Sequence, residues 1–405
     1  MAALKYWVWL SALPGLTNLN KLQLLSAFTS PEDLFFATAE DAYGVEGLSR
    51  EQAAWLDNKS MEETERILAD CAREDIFIIT MDDALYPARL RNIFDPPILL
   101  YGKGHMPLFD EEAAIAVVGT RDSTLYGEQC AEELGYELAR QGAMVVSGMA
   151  KGIDAAGLRG ALRAGGFTCA VLGCGVDIPY PAENRRLYED VATTGVILSE
   201  YPPKTAPAGW HFPVRNRIIS GLTLGTLVAE APEKSGALIT ARDALEQGRD
   251  VFAVPGPIHG EKSAGCHQLI REGAALAASA WDVLMEYAPR YPHKLHRIFD
   301  TLPPLPEERT KAEPKKEKKP PEEVPPLPVL DLEKDNQGLT DDQIAVIKLL
   351  HREPMLTEEV AEATGLSIRR VLSALTVLEL DGYVNKCGPQ SFVTAVTVLN
   401  KGESI

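Results

Sequence analysis

Three patterns that mark familiar kinds of site are missing from this 405-residue sequence. Its six cysteines show no C-x-x-C spacing, which argues against a disulfide framework and against a structural zinc site. None of its seven histidines stands at H-x-x-x-H spacing from another, so neither a zinc site nor a serine-type triad emerges. No eighteen apolar residues run together, so no membrane span is expected. These absences predict a cytoplasmic protein in a reducing compartment, without metal or cofactor.

A basic excess is also missing, although strong nucleic-acid binders usually show one. The net charge of −18 divides into −8 for residues 1–110, −6 for residues 111–290 and −4 for residues 291–405. Any binding of nucleic acid therefore needs a local cluster of cations. The length and the 45% hydrophobic content predict two to three domains with at least one large core.

What the chain does contain is a series of turns rich in glycine and small hydroxyl residues. They include Gly119-Thr120-Arg121, Ser147–Asp154, Gly173-Cys174-Gly175 and Ser235-Gly236-Ala237, with the basic segment Phe212–Gly221 before the last of them. Short apolar runs precede most of these turns, and helical stretches separate most of the runs. The strand candidates are Ile115–Val118, Ala143–Val146, Thr168–Leu172, Gly195–Leu198, Leu227–Ala229 and Val251–Val254. This alternation predicts an α/β fold with a doubly wound parallel sheet, whose strand ends bring the turns into one cleft.

Four cations are expected to line this cleft, namely Arg121, Lys151, Arg215 and Arg217. Amide groups at helix starts and several cations together suit a polyphosphate chain, so we predict a nucleic-acid backbone site. The interleaved aromatic residues around Trp210 favour a single strand over a duplex.

Several of these residues also have simpler structural explanations. The glycines allow tight turns, and the hydroxyls of Thr120 and Ser147 can cap helices as well as contact phosphate. Because Arg215 and Arg217 flank one residue, they can point oppositely, one to phosphate and the other to a carboxylate such as Glu230. The sequence leaves open which arginine does which.

Five blocks in a fixed order carry a family resemblance: G-T-R, S-G-M-A-K-G-I-D, F-P-V-R-N-R-I-I-S-G, K-S-G-A-L-I-T-A and G-C-H-Q-L-I-R-E-G-A. Together they resemble the bacterial DNA-processing protein A (DprA, also called Smf) family. The resemblance implies an extended Rossmann-like fold, binding of single-stranded DNA, a homodimer, and loading of the recombinase RecA during natural transformation. The predicted DNA- or phosphate-binding residues are Gly119, Thr120, Arg121, Ser147, Gly148, Lys151, Gly152, Arg215, Asn216, Arg217, Ser220, Ser235 and Gly236.

Four segments are predicted along the chain. Residues 1–105 form a helical domain of the helix-hairpin-helix or SAM-like kind plus a connector, and residues 106–290 form the Rossmann-like DNA-binding domain. Residues 291–337, rich in proline, lysine and glutamate, form a linker. Residues 338–405 have helix-turn-helix spacing with a possible wing and predict a winged-helix-like domain. Contact of this last domain with protein or with duplex DNA stays open.

Two other classes of function compete with DNA binding. Phosphoribohydrolases of the lysine-decarboxylase-like group carry a G-T-x-x-E element that resembles Gly225–Glu230, although the spacing here is one residue longer. An adaptor without a working cleft is the other alternative, which does not explain the clustered cations. No catalytic residue is predicted, because no carboxylate cluster, histidine pair or nucleophile with its base emerges.

Overall fold

The computed structural model of the protein describes residues 3–298, 329–331, 339–350, 355–386 and 391–399. The chain divides into two compact units, residues 1–302 and residues 303–405. Most of the predicted linker at 291–337, including residues 299–328, lies outside the described residues. Among the described helices, none is long and apolar enough to cross a bilayer.

Short helices begin the first unit, as the capping signals of the sequence predict. Ser30 accepts a hydrogen bond from the amide of Asp33 with Pro31 in the first helical position, and Ser49 and Gln52 form a reciprocal capping box. The helices are α1 (Leu4–Ala12), α2 (Asn18–Ala27), α3 (Pro31–Phe36), α4 (Arg50–Ala53) and α5 (Glu62–Arg73). Their apolar faces share one hydrophobic core with a face of the sheet that follows.

A nine-stranded sheet forms the centre of the first unit. Its strands are β1 (Phe77–Thr80), β2 (Leu99–Gly104), β3 (Ala114–Gly119), β4 (Met144–Ser147), β5 (Thr168–Leu172), β6 (Val196–Ser199), β7 (Gly225–Glu230), β8 (Asp250–Ala253) and β9 (Ala275–Leu276). The order is β1-β2-β6-β5-β4-β3-β7-β8-β9. Strands β3 to β9 all run parallel, and β1 and β2 add an antiparallel edge.

Helices alternate with the parallel strands and cover both faces of the sheet. They are α6 (Ala88–Arg91), α7 (Leu125–Arg140), α8 (Ile153–Arg163), α9 (Arg185–Thr194), α10 (His211–Gly221), α11 (Ala237–Glu246), α12 (Ala264–Arg271) and α13 (Ala280–Leu284). Alternate residues of the strands enter two cores. Val117 packs with α7 and α8 on one face, whereas Val118 packs with α10 and α11 on the other. The predicted doubly wound α/β fold is confirmed.

The strand order reverses between β3 and β7, which are neighbours although three strands separate them in sequence. Chain segments leave these two strands toward opposite faces of the sheet, so a crevice opens at their carboxyl ends. The turn after β3 and the turn after β7 border this crevice. The topology therefore places the glycine-rich turns where the sequence predicts a cleft.

The second unit contains the predicted helix-turn-helix and wing. Its helices are α14 (Asp341–Leu349), α15 (Thr357–Thr364) and α16 (Ile368–Leu380), and Thr340 caps α14 in a reciprocal box with Gln343. Its strands are β10 (Val329–Asp331), β11 (Met355–Leu356), β12 (Val384–Lys386), β13 (Ser391–Thr394) and β14 (Thr397–Leu399). Antiparallel pairing of β12 with β13 forms the wing, with Val384 opposite Thr394. The winged-helix prediction is confirmed.

Candidate nucleic-acid interface

An open groove of about 620 Å³ occupies the crevice between β3 and β7. Residues from the turn after β3, from α10 and from the turn after β7 line it, including Arg121, Phe212, Asn216 and Lys234. A smaller chamber of about 80 Å³ adjoins it through Arg121 and Phe212 and reaches Lys151. The groove and the chamber together are called the switch-point groove below.

The turn from β4 to α8 carries Lys151 to this groove in an unusual backbone conformation. Met149 has φ of +57° and Gly152 has φ of +74°, and a side chain at Gly152 would collide with the carbonyl oxygen of Thr120. The Asp154 carboxylate accepts hydrogen bonds from the amides of Gly148 (3.2 Å) and Ala150 (3.4 Å). These bonds hold the turn from inside and leave Lys151 exposed.

Arg215 also stabilises the turn from β4 to α8. Only 4% of this residue is exposed, and its Nη1 donates to the carbonyl oxygens of Gly148 (2.8 Å) and Val171. A Cβ at Gly148 would lie 2.4 Å from the Arg215 guanidinium, so a larger residue there would displace the Arg215 side chain. Burial lowers the pKa of Arg215 to about 10, which leaves it charged at neutral pH. In this structure Arg215 holds the turn together and does not reach into solvent.

Arg217 is engaged in a different way. Its Nε lies 2.9 Å from the Asp95 carboxylate and its Nη2 lies 2.8 Å from the Glu200 carboxylate. Asp95 also accepts a hydrogen bond from Asn18 of α2 (2.6 Å), so Arg217 links α10 to the N-terminal helices. Although burial opposes the charge, Glu200 and Asp95 hold the pKa of Arg217 above its ordinary value.

Arg217 faces carboxylates, as one of the two arginines was expected to, but they are Asp95 and Glu200 and not Glu230. The expectation that the other arginine faces outward is wrong, because Arg215 is buried. Residues 211–221 form the helix α10, in which residues two apart lie about 200° apart around the axis. The two arginines therefore point in different directions, but both point toward protein. Glu230 instead accepts hydrogen bonds from the amide (2.8 Å) and the hydroxyl (2.6 Å) of Thr124 at the start of α7.

Three cations are exposed along the switch-point groove: Arg121, Lys151 and Lys234. Lys151 pairs with the exposed carboxylate of Glu183. In the part of the chain that the structure describes, no ion pair engages Arg121 or Lys234. The sequence predicted Arg121 and Lys151 as site residues but missed Lys234. Lys234 could have been predicted from its position, because it directly precedes the predicted site residues Ser235 and Gly236.

Aromatic rings lie beside these cations. Phe212 stacks on Tyr180 with ring centroids 5.6 Å apart, and the Arg121 guanidinium lies 4.9 Å from the centre of the Phe212 ring. Nearby, the buried His211 stacks on Tyr201 at 4.0 Å and contacts Trp210, which is 68% exposed. Tyr180, which follows Gly173-Cys174-Gly175 in the turn after β5, was not predicted as a site residue.

The other predicted site residues divide between the groove surface and its interior. Asn216, Ser235 and Gly236 line the groove, and the Asn216 amide lies 3.5 Å from the Gly236 carbonyl oxygen. Ser147 and Ser220 are fully buried, and their hydroxyls donate to backbone carbonyls, from Ser147 to Val117 at 2.6 Å. The remaining members are Gly119, which ends β3, and Thr120, which follows it and is 8% exposed. Gly119 packs directly against Ile153.

The arrangement can bind a polyanion that also presents flat rings. Exposed cations neutralise phosphates, while Trp210, Phe212 and Tyr180 offer surfaces for stacking. Across the described residues, no three His, Cys, Asp or Glu side chains lie close enough together to hold a metal ion.

Comparison with known families gives two matches along the chain. The family model described as "DNA recombination-mediator protein A" matches residues 77–288, and the "DprA winged helix domain" model matches residues 331–388. The first match contains the sheet and the switch-point groove. The second contains the helix-turn-helix.

Individual relatives agree with these matches. The chain is 44% identical over 225 residues to DNA processing protein DprA of Bacillus subtilis, covering 56% of this chain and 76% of that protein. It is 39% identical over 288 residues to DNA processing protein DprA of Streptococcus pneumoniae, covering 71% of this chain and 99% of that protein. The X-ray structure of DNA processing protein A from Streptococcus pneumoniae superposes with a TM-score of 0.60 at 38% identity, covering 70% of this chain and 97% of that one.

Proposed function

The chain belongs to the DNA recombination-mediator protein A (DprA/Smf) family, and on that premise we propose that it binds single-stranded DNA in the switch-point groove. The observation that carries this proposal is the side-by-side placement of Arg121, Phe212 and Tyr180 at the sheet edge. A guanidinium over a ring that stacks on a second ring offers phosphate binding and base stacking at one place. In a duplex the bases already stack on each other, so the rings favour an unpaired strand.

The proposal assigns two roles to the predicted site residues. Arg121, Lys151 and Lys234 contact phosphates, with Asn216, Ser235 and Gly236 supplying polar groups along the groove. Arg215 and Arg217 shape the groove without contacting the strand. The direct test is titration of fluorescent oligo-dT against the protein and against Arg121→Gln, which should bind at least about tenfold more weakly. Equal affinities of the two proteins would refute the assignment of the groove.

We further propose that the protein delivers the strand to the recombinase RecA during DNA uptake in the cytoplasm. The family resemblance supports this step. Three exposed cations on a body of charge −18 also favour moderate affinity, so that a filament can take over the same phosphates. The test is RecA filament growth on a strand coated with single-strand binding protein. Absence of any acceleration by this protein would refute delivery.

A homodimer is part of the same proposal. Two grooves that follow one strand raise the overall affinity without further cations in each groove, because the second contact becomes intramolecular. Light scattering at micromolar protein should give a mass near twice 44.1 kDa. A strictly monomeric mass with undiminished DNA binding would contradict the dimer.

We propose that the protein carries out no catalytic step, in contrast to a phosphoribohydrolase. The geometry of Glu230 supports this choice, because both of its carboxylate oxygens are occupied by Thr124 and the residue is only 3% exposed. Incubation with nucleoside monophosphates, followed by chromatography for free base, separates the two functions. Release of base that depends on Glu230 would favour the enzyme. Incubation of labelled strand with magnesium and manganese tests for cleavage in the same way.

A further inference from the structure

A second cleft lies at the opposite edge of the sheet, where β7 and β8 begin. It has a volume of about 400 Å³ and is lined by residues that include Arg89, Arg249 and Arg290. The six residues of β7 separate this edge from the switch-point groove by roughly 20 Å. The cleft is therefore distinct from the proposed DNA site.

The charges in this cleft are unbalanced. Asp110 is its one carboxylate, and it lies 3.3 Å from Nε of Arg89. The neighbouring carboxylates are used elsewhere, since Asp250 accepts from the hydroxyl of Tyr287 (2.5 Å) and Glu112 pairs with Lys294. Within residues 3–298, no ion pair neutralises Arg249 or Arg290. Two positive charges in excess are thus held together on a strongly acidic protein.

The fold keeps two of these guanidinium groups in fixed positions. Arg89 is 8% exposed and donates to the carbonyl oxygen of Glu112 (3.0 Å) and to the hydroxyl of Tyr291 (3.2 Å). The Nη2 of Arg249 donates to the carbonyl oxygen of Arg89 (3.0 Å), which ties the second arginine to the first. The third, Arg290, lies with its guanidinium 5.5 Å from the centre of the Tyr291 ring.

Polar atoms at the cleft are not fully satisfied by the protein itself. The Nε of Arg249 is buried without an acceptor, and the Oε1 of Gln247 is buried without a donor. Such orphaned buried groups are rare and need a reason. Burial and the nearby charges of Arg89 and Arg290 lower the pKa of Arg249. A bound anion would relieve the repulsion among these arginines.

We propose that this cleft is a second anion site that binds a phosphate group carried by a nucleotide or by a DNA strand. Guanidinium forks match phosphate oxygens, and an excess of two positive charges matches a phosphate dianion. The volume lies in the range of small-ligand sites and exceeds what a bare phosphate needs. Asn92, which is exposed, supplies an amide group of the kind that hydrogen-bonds to a base.

The test uses the full chain, with pyrophosphate as the probe in isothermal titration at low salt. The double variant Arg249→Gln/Arg290→Gln should bind pyrophosphate at least about tenfold more weakly than the unmodified protein. Arg89 is left in place because its hydrogen bonds are buried. Arg121→Gln, which removes a cation from the switch-point groove, should retain this binding. Arg271→Gln on the exposed surface of α12 controls for the loss of charge.

Two further titrations, with thymidine monophosphate and with oligo-dT of different lengths, identify which molecule carries the phosphate. Binding of thymidine monophosphate that the double variant loses indicates a nucleotide. A loss of affinity confined to oligo-dT long enough to reach both edges indicates the strand. The proposal is overturned if pyrophosphate does not bind, if the double variant binds it normally, or if Arg121→Gln abolishes binding. Preference for oligo-glutamate over every phosphate probe would also overturn it, since the partner would then be an acidic peptide.

Discussion

The rim and the floor of the switch-point groove hold positive charge in opposite ways. On the rim, Arg121, Lys151 and Lys234 extend into solvent. Arg215 is buried in the floor of the groove, whereas Arg217 is partly buried and does not line the groove, and every guanidinium contact found for the two is with protein. The cations of this region thus serve two purposes, since Arg215 and Arg217 support the fold around the groove and the exposed set can bind a ligand.

The exposure of a cation and its existing partners, and not its charge alone, therefore indicate whether it binds a ligand. An exposed cation exchanges water for phosphate and releases counterions. A buried arginine that already satisfies carbonyl groups would leave them unpaired if it moved to a ligand. Substitutions on the rim should therefore change affinity, whereas substitutions in the floor should change stability.

The largest effect is expected from Arg215→Met. This change leaves the carbonyl oxygens of Gly148 and Val171 without their donor and removes the positive charge near buried Asp154, at a cost of roughly 3 kcal/mol of unfolding free energy. Urea denaturation measures it. The matched control is Arg121→Met on the rim, which should stay within about 0.5 kcal/mol of the unmodified protein. Equal stabilities of the two variants would abolish the distinction between floor and rim.

Lys151→Glu should have the next largest effect, and on affinity only. Charge reversal places two carboxylates, at positions 151 and 183, where a phosphate is proposed to bind, so affinity for oligo-dT should fall by more than about tenfold at low salt. Fluorescence anisotropy measures the affinity, and circular dichroism should show an unchanged melting temperature. Undiminished binding would remove Lys151 from the site.

Trp210→Ala should weaken binding through lost stacking. Stacking of a base on an aromatic ring contributes about 1–3 kcal/mol, so a loss of roughly fivefold or more in affinity is expected. Because no charge changes, the salt dependence of binding should stay the same. Trp210→Phe, which keeps a ring, should recover part of the affinity. If the alanine variant binds as well as the unmodified protein, Trp210 lies outside the strand's path.

Glu183→Gln should have the smallest effect, in the opposite direction. Lys151 pairs with Glu183 in the structure, and this exposed pair has to separate before the amine meets a phosphate. Removal of the carboxylate should raise the affinity for oligo-dT by about twofold to threefold at low salt, with no gain at high salt. A loss of affinity would mean that Glu183 orients Lys151 productively.

The sequence predicted six of the nine strands of the sheet, β3 to β8, because these are short apolar runs bounded by turn residues, and it missed β1, β2 and β9. Thr168–Leu172 was predicted with the limits that β5 has. The basic segment Phe212–Gly221 was predicted together with the turns but lies in the helix α10. Pro213 does not prevent this, because proline is tolerated in the first turn of a helix, where its missing amide costs little.

The roles of the two arginines of α10 could not be read from the sequence. Their partners come from distant segments, with Asp95 and Glu200 on Arg217 and the β4 and β5 carbonyls on Arg215. No local pattern encodes such long-range contacts. Arg121 and Lys151 were placed correctly at the groove because turns after parallel strands always meet at one edge.

The salt dependence of oligo-dT binding decides whether Arg121, Lys151 and Lys234 contact the phosphates of the strand. With three rim cations on phosphates, the logarithm of affinity should fall against the logarithm of salt concentration with a slope of about −2, not the value near −3 that four contacts would give. In Arg121→Gln/Lys151→Gln/Lys234→Gln, whose floor is intact, the slope should approach zero. An unchanged slope in this triple variant would show that the strand binds elsewhere and would contradict the account.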